Sequence, residues 1–380
     1  MSKLTTNIPN PVKLTQTLVS FDTINPPGNE RPCAEHVGNL LEAGGFSVSY
    51  HEFADTRTSL VARIGGSSDS KPLCFTGHID VVPLGGASWS VDPFAGEIAE
   101  GKLYGRGSTD MKSGVAAFVT AALRVSEEVK DGPGLVLVVT AGEETGCEGA
   151  YHLAELDGVL GEAGAIVVGE PTSNKPRIGH KGALWLKATT KGVTAHGSRP
   201  EDGDNAVYKA ARAITQLEDF DFNIARHDVL GKPTLNVGTV HGGMNINSVP
   251  DLTEIGIDIR TIPAQSHTNL QTQLSGYLGD EVDLEPVIDV DGVLTNTADE
   301  WVQEINEIIT GIQGEIPEYK TGTGFTDASV LTPAYGGAPT IILGPGEPYM
   351  AHKTDEYCVV EKITEAEAAY MEIIRKWNSR

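Results

Sequence analysis

Cysteine is scarce in this 380-residue chain: Cys33, Cys74, Cys147 and Cys358 stand far apart and in no C-x-x-C spacing. That excludes a thiolate zinc site and a dense disulfide framework, and the four are read as reduced thiols. Cys147 falls beside one of the motifs below, but a thiol nucleophile needs a base, and the base nearby has other work. Positive charge is also in short supply, with 28 Lys and Arg against 52 Asp and Glu, a formal net charge of −24. A nucleic-acid groove or an anionic membrane would work against that field, so neither is expected as a partner. No apolar run approaches the ~18 residues of a spanning helix. The opening MSKLTTNIPNPVKL lacks a basic stretch followed by an apolar core, so a cytoplasmic protein is expected. Coiled coil, collagen and disorder do not fit a composition that is 39% hydrophobic and 21% charged, with 44 Gly and 21 Pro. The acidic excess keeps a chain soluble, and it also suits one that commits carboxylates to cations.

At roughly 150 residues per domain, this length predicts two domains. In the first half, short apolar runs bounded by Gly and Asp (Leu73 to Thr76, Gly134 to Thr140, Ala165 to Val168) read as buried strands. Met111 to Val129 between the first two reads as a helix, giving the strand–helix–strand order of an α/β sheet. Gly149 to Leu156 and Thr364 to Trp377 also read as helices. The middle changes texture. Ala183 to Thr190, Thr234 to Val240 and Leu252 to Ile259 alternate like strands, while Asn205 to Gln216 and Ser266 to Leu278 are helical, predicting two helices on an antiparallel sheet. A helix (Glu300 to Ile312) and a buried strand (Thr340 to Leu343) then return. The expected organisation is an α/β domain with a mixed, mostly parallel sheet flanked by helices (residues 1–180 and 293–380), interrupted by an α+β domain (181–292).

Each apolar strand of the first domain ends in residues of metal-ligand type: Gly77-His78-Ile79-Asp80, Ala141-Gly142-Glu143-Glu144 and Gly169-Glu170-Pro171. In open α/β sheets ligands bind beyond the carboxyl ends of the strands, so these motifs converge on one crevice. One such residue alone is more often a solvated group or a helix cap; recurrence at successive strand ends is what argues for function. Asp110 precedes the long helix, where an N-cap is the plain alternative, and His352 follows the final strand. Imidazole and carboxylate without sulfur suit Zn²⁺, Co²⁺ or Mn²⁺, and the number of ligands fits two ions roughly 3.5 Å apart that share one carboxylate. Glu144 can then ligate while its neighbour Glu143 acts as general base, and Asp80 can accept the other ring N–H of His78.

These motifs resemble the M20 metallopeptidase family. The likeness runs from Gly77-His78-Ile79-Asp80-Val81-Val82-Pro83, with Trp89 and Asp92-Pro93-Phe94, through Gly105-Arg106-Gly107 and Asp110-Met111-Lys112, to Gly142-Glu143-Glu144-Thr145-Gly146 and His352-Lys353-Thr354-Asp355-Glu356. It implies two divalent ions per chain, zinc foremost, one held by His78, Glu170 and a bridging Asp110 and the other by Glu144, His352 and the same Asp110. It further implies that Glu143 is the general acid/base and Asp80 the orienting acid, and that the middle domain is a lid through which the chain forms a homodimer. In Thr194-Ala195-His196-Gly197-Ser198-Arg199-Pro200, His196 resembles the residue that reaches a neighbouring subunit's oxyanion. Asn247 and Arg260 resemble contacts to the substrate carboxylate, and the glycine-rich turn Gly322 to Asp327, with Gly324, is expected near the substrate. A guanidinium fork matches a carboxylate with two bonds, though Arg260 could also be a plain surface charge. The implied reaction is deacylation of small N-acyl-L-amino acids. Asp258-Ile259-Arg260-Thr261-Ile262-Pro263 and Thr326-Asp327-Ala328 look most like acetylornithine deacetylase, with succinyl-diaminopimelate desuccinylase, dipeptidase and carboxypeptidase as alternatives. A non-catalytic binding module would be favoured by loss of Glu143 or a ligand, and none is missing.

Overall fold

A computed structural model describes residues 8–66 and 69–380. Contacts divide the chain into two units: the first takes it up to Gly179 together with Leu294–Lys320 and Thr326–Arg380, and the second is His180–Val293 with Thr321–Phe325. The short segment Thr321–Phe325 therefore departs from the sequence-based division, which had placed it in the first domain.

The first unit is built on a mixed sheet. Seven of its strands follow one another in the order Ser47–Ala54, Arg57–Ile64, Leu135–Thr140, Leu73–His78, Ala165–Val168, Thr340–Ile342 and Arg177–His180. The four strands from Leu135–Thr140 to Thr340–Ile342 run parallel, with antiparallel neighbours on both sides. Strands buried on both faces read as continuous apolar runs, and Leu135–Thr140 is buried at all six positions. The antiparallel hairpin Ser47–Ala54/Arg57–Ile64 is not apparent from the sequence, because its first strand is mostly exposed. Register aligns the chemistry: His78 pairs with Thr140, and Thr76 with Val168, so the chain leaves the sheet at one level just before Asp80, Glu143 and Glu170.

The long helix Ser113–Val129 packs against the C-terminal helix Val360–Asn378. Phe75 meets Tyr370 edge-on, with ring centroids 5.2 Å apart. The long helix starts two residues later than its pattern predicts. A π-type turn, Ser108–Lys112, precedes it, and Asp110 (φ −122°, ψ 92°) and Met111 leave helical geometry, so Asp110 does not cap the helix. Gly114 lets the helix approach the adjoining strand end, since a Cβ there would lie 2.0 Å from the Gly169 carbonyl oxygen.

The second unit is a four-stranded antiparallel sheet in the order Thr234–Gly242, Leu252–Thr261, Gly182–Lys191, Val282–Val290. The last strand escapes the sequence reading because its acids and Pro286 mask the alternation. Helices Ala206–Glu218 and His267–Leu278 cover one face; Leu184, Leu186, Ile255, Ile257, Ala213 and Leu274 are among the residues of their shared core. Their starts are capped by Asn205, which accepts from the Tyr208 N–H, and Ser266, which accepts from the Asn269 N–H.

Candidate metal centre

The strand ends bring six side chains of the first unit together. His78 Nε2 lies 3.3 Å from Asp110 Oδ1 and 3.4 Å from Glu170 Oε1. His352 Nε2 lies 3.5 Å from Asp110 Oδ2 and 3.1 Å from Glu144 Oε2. The two oxygens of Asp110 thus face opposite ways, one toward each imidazole. Two groups able to hold a metal ion result, His78–Asp110–Glu170 and Asp110–Glu144–His352. They differ in exposure: the His78 side chain is 1% accessible and that of His352 54%. Glu143 is buried and belongs to neither group.

The electrostatics test whether cations fit. Burial, reinforced by the charge of Asp110, pushes the Glu170 carboxyl up to about 8 and raises that of Glu144. Burial also lifts Glu143 well above the carboxylate range, with Glu170 and Glu144 adding to the effect against the opposing pull of His78. Burial would likewise raise Asp110, but hydrogen bonds from His352 and His78 outweigh it and hold the group low. His352, bonded to Asp110 and Glu144, is pushed up to about 10. So many buried acids repel one another when ionised, and divalent charge at both groups relieves that repulsion. Every donor is nitrogen or oxygen. All four cysteines are free and buried, and burial raises the Cys147 thiol well above its usual range, which argues against a nucleophile.

A model of the peptidase family M20/M25/M40 matches residues 74–376. The chain belongs to that family. It is 32% identical over 368 residues to the acetylornithine deacetylase of Myxococcus xanthus, covering 92% of this chain and 93% of that protein. It is equally, 32%, identical over 388 residues to a succinyl-diaminopimelate desuccinylase of Cereibacter sphaeroides, covering 97% and 99%. The fold resembles the M20 family metallo-carboxypeptidase Sso-CP2 of Sulfolobus solfataricus, with a TM-score of 0.83 at 17% identity over 98% of this chain and all of that one. Like its relatives, this M20 protein is a metal-dependent amidohydrolase.

In this M20 chain the carboxylate of Asp80 does more than orient an imidazole. The nearest acceptor for the His78 Nδ1–H is the Asp80 backbone carbonyl at 2.9 Å, with the carboxylate farther off at 3.5 Å. That bond leaves Nε2 free to face Asp110 and Glu170. The carboxylate instead accepts the N–H groups of Glu143 at 3.1 Å and Glu144 at 3.2 Å, and the Asn25 amide at 2.9 Å. Asp80 therefore holds the turn that presents both glutamates. Asn25, which also donates to Thr145 Oγ1 at 2.9 Å, was not legible as a site residue; the only local signal is the rigid Asn25-Pro26-Pro27 run. Asp327, pushed up to about 6 by burial, accepts from Thr140 at the end of the central strand.

The remaining sequence-predicted residues lie in the second unit, outside these groups. The loops of His196 and Asn247 are pinned together, the Gly197 N–H donating to the Asn247 carbonyl at 2.7 Å, and His196 Nδ1 lies 2.8 Å from Ser198 Oγ. Arg260 Nε is 2.8 Å from Asp258 Oδ1, and its guanidinium lies 5.8 Å from the centre of the Trp185 ring. Gly324 is exposed, with open space where a Cβ would stand. Among the described residues no helix is long and apolar enough to cross a membrane.

Proposed function

We propose that this enzyme hydrolyses the amide bond of small N-acyl-L-amino acids in the manner of an acetylornithine deacetylase. The observation that carries the reading is the central position of Asp110, with one oxygen toward each imidazole, beside a buried Glu143 that belongs to neither ligand group. His78, Asp110 and Glu170 would hold one divalent ion and Asp110, Glu144 and His352 a second, Zn²⁺ foremost, with Co²⁺ or Mn²⁺ as alternatives. Bound there, the ions supply Lewis acidity toward the scissile carbonyl and the attacking water. Glu143 takes a proton from that water as its oxygen attacks the acyl carbon, then delivers the proton to the departing amine as the C–N bond breaks. Its raised pKa suits a group that must both accept and return a proton.

In this reading the second unit supplies recognition. Arg260 and Asn247 hold the substrate α-carboxylate, a Gly324 amide touches the substrate, and His196 of one subunit of a cytoplasmic homodimer donates to the oxyanion formed in its partner. Succinyl-diaminopimelate desuccinylase is supported equally by the relatives. The deciding experiment measures amine release from N-acetylornithine, N-succinyl-diaminopimelate and dipeptides with Zn²⁺ or Co²⁺ supplied, alongside elemental analysis of the purified chain. Preferred turnover of N-acetylornithine supports the first reading, and preference for the succinyl substrate supports the second. No release from any of them would overturn both.

A further inference from the structure

Beneath the metal-centre side chains lies a buried ion pair that neither joins the ligand groups nor belongs to the proposed acid/base chemistry. The carboxylate of Glu356, fully buried, accepts from Arg106 Nη1 at 2.6 Å and from three backbone N–H groups, Gly107 at 3.0 Å, Thr109 at 2.8 Å and Asp110 at 3.0 Å. Arg106, also buried, makes two further bonds, one to the loop that carries Glu356 and one to another loop: Nη1 donates to the Lys353 carbonyl at 3.3 Å and Nη2 to the Pro83 carbonyl at 3.1 Å. Its guanidinium lies 5.2 Å from the centre of the Trp89 ring. One planar fork and one carboxylate thus join the turn carrying Asp110 to the residue that follows His352, and both to the loop beyond His78 and Asp80.

A buried ion pair adds little net stability, because desolvation consumes most of the Coulombic gain. What a planar guanidinium adds over an apolar pair is direction, several bonds at fixed angles that a lysine cannot reproduce. The two ligand groups depend on that direction unequally. His78 and Glu170 are set by the ends of adjacent parallel strands, while His352 stands on a loop with its side chain half exposed. We propose that Arg106 and Glu356 are positioning residues that fix the separation of Asp110 and His352, and thereby control binding of a divalent ion at the Asp110–Glu144–His352 group. The inference rests on the two-ion reading above.

The test titrates metal-free full-length wild type, Glu356→Gln and Arg106→Lys with Zn²⁺ by equilibrium dialysis, and follows Co²⁺ absorption as a second readout. Glu356→Gln keeps size while removing charge, and Arg106→Lys keeps charge while removing the fork. Both variants are expected to retain wild-type circular dichroism and bind one ion with near wild-type affinity. The second ion should bind ~10- to 100-fold more weakly, the usual cost of disturbing the groups behind a ligand, and the Co²⁺ spectrum of the second equivalent should change. Two ions bound as in wild type, or both weakened alike, would overturn the proposal. Failure of both variants to fold would overturn it too, by showing that the pair holds the fold rather than the ligands; if only one folds, that one decides. Wild type taking fewer than two ions would locate the failure in the two-ion reading itself.

Discussion

The two units use their strands differently. In the first, parallel strands buried on both faces end at one level, and the residues just past those ends are buried, mutually bonded and electrostatically strained. In the second, an antiparallel sheet buries one face under two helices, and the residues of interest, His196, Asn247 and Arg260, are exposed or partly exposed on loops and a strand end. Buried titratable groups suit proton transfer, whereas exposed donors on a separate scaffold suit gripping a substrate that must come and go. In the reading proposed above, the contrast puts proton transfer in the first unit and, His196 and its oxyanion aside, grip on the substrate in the second.

The strongest way to break that assignment is at Glu143. Glu143→Ala is expected to lower kcat by ~10²- to 10⁴-fold with metal content retained, as for loss of a general base that is not a ligand. Loss of metal would show that Glu143 and Glu144 have exchanged roles. Mixed with an inactive His196→Ala protein under verified subunit exchange, the variant should regain activity, because one hybrid site then holds both residues; no recovery would confine His196 to its own chain. Next in size is Arg57→Ala in the first unit. Glu30 is fully buried and bonded to Arg57 Nε at 2.9 Å, and burial already lifts its carboxyl to about 7. Removing the partner should cost about 3–5 kcal/mol in chemical denaturation of the metal-free protein at a pH high enough to keep Glu30 ionised; a small loss would mean that Glu30 takes up a proton or that water reaches it.

In the second unit Arg260→Ala should mainly raise KM for substrates with a free α-carboxylate, by about 1.5–3 kcal/mol, and spare substrates in which it is blocked. Equal losses would place Arg260 in the scaffold. The last effect, read as a slope against pH, concerns His180, fully buried, whose Nδ1–H donates to the Lys181 carbonyl at 2.8 Å and whose pKa burial pushes down to about 4. The unfolded chain, titrating near 6.5, binds this proton when the folded one does not. Stability should therefore fall as pH drops from about 6.5 toward 4, by at most ~1.4 kcal/mol per pH unit from this group. His180→Gln should flatten that slope in denaturation at pH 7 and pH 5; an unchanged slope would assign it to other groups.

Much of this was legible in the sequence because it is written in local periodicity. Continuous apolar runs announced the parallel strands, the abrupt Gly-His, Gly-Glu-Glu and Gly-Glu sequences marked where each run stops, and alternation marked the antiparallel sheet, all readable over a few residues. Where acids and a proline interrupt alternation, as in Val282–Val290, the signal fails although the strand forms, since pairing along its neighbour supplies what its own pattern lacks. Tertiary structure alone decided the partnerships. Asn25 reaches Asp80 across 55 residues, Glu356 reaches the Asp110 amide across 246, and the Asp80 carboxylate turns to the Glu143 and Glu144 amides while its backbone carbonyl takes the histidine. A residue's type fixes which bonds it can make, but only the folded chain fixes which donors its burial leaves within reach.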